Sequence, residues 1–375
     1  ERAFRGAVNM TYNATDTPDL AEVISMRSMF SDARAFNGDI GDWDVSGVTD
    51  MAFMFFDAAS FNQEIGGWDV SSVTNMLGIF GAFDVENSFN QDISSWQTGN
   101  IENMRAMFQN ATSFDQYIGS WDVSGVTDMS LMFFDAVSFN QDIGDWNVSS
   151  VETMRSMFNG ASTFNQDIGG WDVSNVKTMR FMFNGDSTFN QNIGSWDVSN
   201  VTDMVSMFRN TEAFDQDIGS WDVSGVTDMS LMFSNAVSFN QDIGGWDVSS
   251  VTDMNVMFSG AEAFDQNIGA WNVSNVDDSS NFNDSFEQFL DGAELSPENY
   301  DALLNGWSDL DLNTELSFNA GSSQFTSEGK EARQSIIDTY DWTITDGGAT
   351  GDTGADPFVT TWKTTQAQES IFIPT

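Results

Sequence analysis

Residues 214–238, FDQDIGSWDVSGVTDMSLMFSNAVS, decide the fold of this chain, because the same phrase returns with small changes along most of its 375 residues. The tryptophan marks each copy. Ten tryptophans from Trp43 to Trp271 follow one another every 25 residues, apart from one step of 28 between Trp68 and Trp96. A fixed period of this length indicates stacked supersecondary units that present a long surface. It therefore favours a binding protein over an enzyme.

Each repeat contains two patterns that predict secondary structure. W-D-V-S alternates apolar and polar residues, which predicts a short half-buried strand with Trp and Val pointing inward. The following V-x-x-M-x-x-M-F-x-x-A places apolar residues on one face of a short helix, with the preceding Ser as N-cap. The return path F-N-Q-D-I-G buries Phe and Ile, and its glycine relaxes the backbone before the next strand.

One strand and one short helix per coil, stacked in register, predict an α/β solenoid of the leucine-rich-repeat kind. Right-handed winding is the default for such a connection. We assign residues 1–294 to this solenoid, with about eleven coils. Residues 295–346 are predicted to form a small α/β cap, with helices at 296–304 and 327–339 and strands at 315–318 and 342–345. Residues 347–356 are interpreted as a flexible linker, and 357–375 as the start of a β-rich domain.

Composition excludes several classes of function. With 57 acidic and 12 basic residues the net charge is -45, which argues against nucleic acid or an anionic membrane as partner. The absence of Cys and His removes disulfides, thiolate sites, zinc sites and histidine bases. No apolar run is long enough to insert into a membrane. The chain opens with Glu1, and Phe4 resembles the middle of a repeat, so we expect a piece of a longer multidomain protein.

The residue after each tryptophan is the main candidate for ligand binding. On adjacent parallel strands these side chains would stack about 4.8 Å apart, and like charges at that distance repel unless cations or hydrogen bonds relieve them. One interpretation is a cation-binding or ligand-binding stripe. The other, which we favour, is a solvated acidic face in which each Asp bonds a Ser or the backbone of a neighbouring coil. The candidate ligand-binding residues are Asp44, Asp69, Asp122, Asn147, Asp172, Asp197, Asp222, Asp247 and Asn272.

Three further rows carry polar chemistry. The Asn or Asp and the Gln of F-N-Q are predicted to satisfy backbone groups between coils, with sugar recognition as the alternative. Arginines after the first Met, as in Arg105, Arg155 and Arg180, are expected to pair with nearby carboxylates. No metal or other cofactor is predicted, although a second acidic row could ligate calcium from neighbouring turns. Its members are Asp39, Glu64, Asp92, Asp142, Asp167, Asp217 and Asp242.

The motif F-N-Q-D-I-G-x-W-D-V-S-x-V-T-D-M-x-x-M-F-x-x-A resembles that of the BspA-like leucine-rich-repeat surface proteins, in their 25-residue variety, from Ala3 to Phe289. The segment LSPENYDALLNGW…EARQSIIDTYDWTITDGG is similar to the module that commonly closes such arrays in Bacteroidetes-type proteins. PFVTTWKTT…SIFIPT is similar to the opening of a β-rich domain often found beside them. The resemblance implies an extracellular location at the bacterial cell surface, and adhesion as the usual role.

The leading hypothesis is a repeat module of a large extracellular bacterial adhesin, a rigid platform without catalytic activity. Its partners would be proteins or glycans on host or neighbouring cells. The alternative is an architectural stalk or filament spacer with no ligand of its own. A third hypothesis is a polysaccharide hydrolase that works through carboxylates alone. Such an enzyme needs two carboxyl groups in unlike environments, which a regular row does not supply.

Overall fold

The computed structural model describes residues 3–10, 16–83, 85–277 and 286–351. Successive repeats lie side by side, and one residue per coil forms a parallel bridge with its equivalent in the next coil. The ladder comprises Ser25, Asp50, Asn75, Asn103, Asp128, Thr153, Thr178, Asp203, Asp228 and Asp253. From Asp50 onward these residues occupy the third position of V-T-D, seven residues after a Trp, and Ser25 is the equivalent residue seven positions after Pro18. The stacking of repeats therefore follows the period of the sequence, but the parallel pairing does not lie where we expected.

The predicted strand at W-D-V-S is wrong for the described coils, because these residues form no bridge with a neighbouring coil. Their hydrogen bonds are local instead. The amide of Trp171 donates to the carbonyl of Ile168 at 3.1 Å, and the amide of Val176 donates to Val173 at 2.9 Å. Alternation correctly places Trp171 and Val173 inside and Asp172 outside. It does not reveal that the backbone amides of these residues donate within tight turns of their own coil.

The predicted short helix is also wrong, since residues 16–83 and 85–277 contain no helix. The segment M-x-x-M-F-x-x-A forms a run of tight turns. Alternate amides of this segment donate hydrogen bonds to carbonyls of the next coil. In one coil, Leu131 and Phe133 donate to the carbonyls of Arg155 and Met157, both at 2.9 Å. Between them Met132 donates three residues back within its own coil. Leu131 has a left-handed φ of 61°, which a right-handed helix does not accommodate.

Aromatic side chains form continuous stacks through the core. Phe133 stacks on Phe158 of the next coil with ring centroids 5.6 Å apart, and on Phe139 of its own coil at 4.0 Å. Each Trp from Trp68 to Trp271 donates its indole N–H to the carbonyl of the Ile that lies 28 or 31 residues before it. Buried aromatic rings that also find a hydrogen-bond partner are strongly stabilising. One hydrophobic core runs from Met26 to Trp342.

The C-terminal part holds all the regular elements of the described chain. Helix α1 spans Pro297–Ser308, strand β1 Ser317–Asn319, helix α2 Lys330–Tyr340 and strand β2 Thr343–Thr345. The two strands pair in parallel, with Ser317 opposite Thr343. The elements occur in the predicted order, although α1 runs four residues further than expected. The domain boundary at residue 294 stays a prediction.

This α/β part continues the stack of coils. Leu290 donates its amide to Asn319, and Ala320 donates to Thr345, so β1 and β2 take the place of the next two coils. Helix α1 lies so close to the last complete repeat that a Cβ on Gly306 would stand 1.9 Å from the carbonyl oxygen of Gly269. Only glycine permits that approach. The elements therefore cover the end of the array, as a cap must.

Two further expectations concern the two ends of the chain. Phe4 donates its amide to Met29 at 2.9 Å and stacks on Phe30, so it packs as part of a preceding coil. The predicted linker is wrong at its start, because Gly347 and Thr350 donate to carbonyls of the cap at 2.8 Å. The rest of the linker and the predicted β-rich start at 357–375 lie outside the described residues.

Candidate functional site

The row of residues after tryptophan lies on the surface, and each member closes a tight turn with the Ser two residues later. Asp172 accepts the Ser174 amide at 3.1 Å and the Ser174 hydroxyl at 2.6 Å. This is an Asx-turn, in which a short acidic or amide side chain mimics a backbone turn. The prediction of a bond to the Ser of a neighbouring coil is therefore wrong. The same turn amide bond occurs at Asp44, Asp69, Asp122, Asn147, Asp197, Asp222, Asp247 and Asn272.

Hydrogen bonds within the turns lower the pKa of most of the Asp residues in this row. The hydroxyl and then the amide of Ser174 lower the pKa of Asp172 below its ordinary value. The corresponding Ser residues lower the pKa of Asp44, Asp69, Asp122, Asp197 and Asp247 in the same way. Repulsion from Asp172 raises the pKa of Asp197, but it is the smallest of the causes. The turn hydrogen bonds therefore favour the charged form of each of these carboxylates.

The second acidic row uses its side chains similarly. Asp142 and Asp217 each accept the amide of the Gly two residues later at 3.0 Å. At one end of the array, Asp39, Asp42 and Glu64 line a cleft of about 540 Å³ together with Asp92 and Gln91. Nevertheless, the described residues contain no group of three or more carboxylates placed to hold a metal ion. The geometry adds no support for calcium at this row.

The F-N-Q row joins the coils, as the structural interpretation predicts. Oδ1 of Asn140 accepts the amide of Asn165 at 3.0 Å and the side-chain amide of Gln166 at 2.9 Å. The pattern repeats from coil to coil, with Asp replacing Asn in some copies. At the cap, Ser296 and Asn299 donate to Asp265 in place of the missing Asn and Gln. These side chains are occupied by the fold.

Three consecutive parts of the chain match one family model, described as Mycoplasma protein of unknown function, DUF285. The matches cover residues 1–82, 79–195 and 179–293. The chain belongs to the DUF285 family. The tandem matches show a DUF285 repeat protein, whereas the narrower assignment to BspA-like leucine-rich-repeat proteins stays a prediction. No curated protein and no solved structure matches the chain. Among the described residues, no helix is both long enough and apolar enough to cross a membrane.

The arginine row of the DUF285 repeats contains one exception to its pairing. Arg27, Arg105 and Arg180 each approach the carboxylate of the Asp 23 residues later, at 3.6, 3.9 and 3.6 Å. For Arg155, the residue 23 positions later is Thr178 and not an Asp. Sequence reasoning treated these arginines alike, although aligning each with the residue 23 positions later would have singled out Arg155.

Sequence reasoning also missed Asp186. It occupies the position of Ala136 and Ala161 in the preceding DUF285 repeats and is fully buried. Its Oδ1 accepts a long bond from the Thr188 hydroxyl, at 3.4 Å, and its Oδ2 has no partner. Burial raises the pKa of Asp186 well above its ordinary value. Alignment of the repeats would have exposed this carboxyl at an alanine position.

Proposed function

We propose that this chain is a repeat module of an extracellular or cell-surface bacterial protein, serving as a rigid binding platform for protein or glycan ligands. We further propose that it is a right-handed solenoid of the BspA-like leucine-rich-repeat kind. The observation that carries the proposal is the use each repeat makes of its recurring polar side chains. The Asn and Gln of F-N-Q and the indole N–H bond the neighbouring coil, while the Asp of W-D-V-S bonds its own turn.

The recurring polar side chains make the hydrogen bonds within and between coils. The residues at other positions of the repeat can therefore vary. Two residues after the first Met, Leu131, Ser156 and Phe181 follow one another in adjacent coils. All three have left-handed φ angles of 55–61°, so the backbone stays the same while the side chain changes. Leu131 and Phe181 are half-buried and Ser156 is buried, and stacked repeats present such side chains along one extended surface. This arrangement supports a platform function.

The test has two readouts on different samples. The purified chain is applied to glycan and extracellular-protein arrays, and the full-length parent is exposed to external protease on intact bacterial cells. We expect at least one saturable ligand, and cleavage of the parent without cell lysis. A parent that resists protease on intact cells but is cleaved after lysis would contradict the surface location, and the proposal with it.

An architectural stalk is the second candidate, and the coil-to-coil hydrogen bonding seen among the described residues supports it. A surface-exposed parent whose repeat module binds nothing on either array would favour the stalk. A carboxylate-only polysaccharide hydrolase remains the third hypothesis. The Asp residues after tryptophan have lowered pKa values. The row therefore does not supply the carboxyl group with a raised pKa that a general acid requires. Release of reducing ends from polysaccharides incubated with the chain would revive it.

A further inference from the structure

A cleft of about 380 Å³ opens on the surface formed by the M-x-x-M-F-x-x turns, which we call the turn surface. Its volume falls within the range of small-ligand sites. Half-buried Phe134 and Phe181 contribute aromatic rings, and Arg105 and Arg155 contribute positive charge. Asn184 lies beside them. Basic residues are scarce in a chain with a net charge of -45, so two arginines at one cleft set it apart from the acidic rows.

The charge of this cleft arises from one substitution in the next coil. Asp50 approaches Arg27 and Asp203 approaches Arg180, whereas the residue in the equivalent position for Arg155 is Thr178. Within the described chain, the exposed guanidinium of Arg155 therefore has no carboxylate within 4.0 Å. Arg105, at the other side of the cleft, is held only loosely by Asp128 at 3.9 Å. A guanidinium without a partner presents a planar fork of donors that matches a carboxylate.

Two side-chain amides also line the cleft, those of Asn159 and Asn184. Asn184 donates its side-chain amide to Oδ1 of Asn159 at 3.2 Å, while its own Oδ1 is buried without a partner. Side-chain amides both donate and accept hydrogen bonds, whereas a bare carboxylate, sulfate or phosphate brings acceptors alone. A ligand that combines a carboxylate with hydroxyl groups supplies both the anion for Arg155 and hydroxyl partners for the amides at the cleft.

We propose that this cleft binds an acidic sugar residue, with the carboxylate on Arg155, hydroxyl groups on the side-chain amides of Asn159 and Asn184, and the apolar face of the ring against Phe134 or Phe181. The assignment deepens the proposed binding function, since it names a ligand class and a site. Phe181 already carries the Arg180 guanidinium at 4.9 Å from its ring centroid, which fixes the ring in place. A preorganised aromatic wall reduces the entropy that is lost when a rigid ring binds.

The experiment compares a disaccharide ending in glucuronic acid with its glucose counterpart by isothermal titration calorimetry on the whole chain. We expect the acidic disaccharide to bind at least about tenfold more tightly, because charge-assisted hydrogen bonds distinguish the two. Arg155→Gln should remove that preference. Arg27→Gln changes the same position of another coil, where the arginine is paired and distant, and should leave binding unchanged.

Thr178→Asp provides the sharpest variant because it removes nothing from the cleft. It recreates the pairing seen at Arg27 and Asp50, so it should weaken binding of the acidic disaccharide by about tenfold or more. Circular dichroism confirms that each variant is folded. Equal affinities for both sugars, or binding that survives Arg155→Gln and Thr178→Asp, would overturn the site.

Three outcomes distinguish the saccharide assignment, the cleft and the broader function. An oligoglutamate peptide that binds more tightly than the sugar, in an Arg155-dependent way, would overturn the saccharide assignment in favour of acidic peptides. A chain that ignores the acidic disaccharide but binds another array ligand would refute the cleft and leave the platform function standing. A chain that binds no array ligand and no sugar would refute both.

Discussion

Replacing Trp171 in a middle coil tests whether the tryptophan stack carries the stability of the array. Trp171 is 3% exposed and lies between Trp146 and Trp196, with ring centroids 6.4 and 6.5 Å away. Its indole N–H donates to the carbonyl of Ile143 at 3.2 Å. About 200 Å² of buried aromatic surface at about 25 cal/mol/Å² gives about 5 kcal/mol, and buried aromatic-to-alanine changes cost about 3–5 kcal/mol.

Trp171→Phe separates the ring from the hydrogen bond. Phenylalanine keeps much of the stacked surface but leaves the Ile143 carbonyl without its donor, which should cost about 1–3 kcal/mol. We therefore expect Trp171→Ala to lower the free energy of unfolding by about 3–5 kcal/mol and Trp171→Phe by roughly half as much. Urea denaturation followed by far-ultraviolet circular dichroism gives both values when the slopes match the wild type.

The refuting result is a Trp171→Ala variant within about 0.5 kcal/mol of wild type, the range of neutral surface substitutions. It would show that this tryptophan contributes surface and not core. Stacked repeats do not always unfold in one step, so calorimetric and spectroscopic transitions should be compared before free energies are assigned. A broadened transition in Trp171→Ala alone would mean that the coils on either side have separated.

Four further results should follow from the buried and exposed carboxylates and from the packing. Asp186→Ala should raise the melting temperature at pH 7, because removing an unsatisfied buried acceptor gains about 1 kcal/mol or more. Since the folded pKa of Asp186 is raised, the destabilisation that comes from ionising it appears as pH rises above about 4, so the gain should shrink in melts below that pH. Asp172→Ala should show the opposite trend. The lowered pKa of Asp172 stabilises the fold above the ordinary pKa, so the variant should lose stability at pH 7 and match wild type in strong acid. Melts in sodium, magnesium and calcium chlorides at matched ionic strength should show that magnesium and calcium act alike without saturation. A saturable, calcium-only rise that Asp→Asn changes at Asp172, Asp197 and Asp222 abolish would instead establish a cation site. Gly244→Ala should prevent stable expression or lower the melting temperature sharply, because its Cβ would meet a backbone oxygen at 2.3 Å, and a wild-type melt would contradict the close approach.

The period, the core and the cap follow from the sequence because they depend on which residues point inward. The positions of Met129, Met132, Phe133 and Ala136 are buried as predicted. However, the same apolar spacing fits a helix and a run of tight turns equally well. The choice between them depends on where the amides donate, and Leu131 donates to a coil 24 residues away. Apolar periodicity carries no information about such non-local bonds.

Only part of the candidate site could be predicted from the sequence. The Asx-turn at Asp172 was open to prediction from its D-V-S sequence alone, since Asp commonly bonds the backbone two residues on. Asp186 and the lone Arg155 were equally accessible to an alignment of the repeats. The unpaired Oδ1 of Asn184 was not, because it depends on the orientation of one side-chain amide toward Asn159.

Because coils bond one another through the same atoms at each step, recombination within the gene can add or remove one coil without breaking the backbone pattern. Such an event changes which coils become neighbours. Excision of residues 156–180 would bring Arg155 opposite Asp203 and give Arg155 the ion pair that it now lacks. Array length can thus drift during evolution while each junction acquires or loses a charge. Selection for a ligand would then act on the order of the coils, and not only on the residues within them.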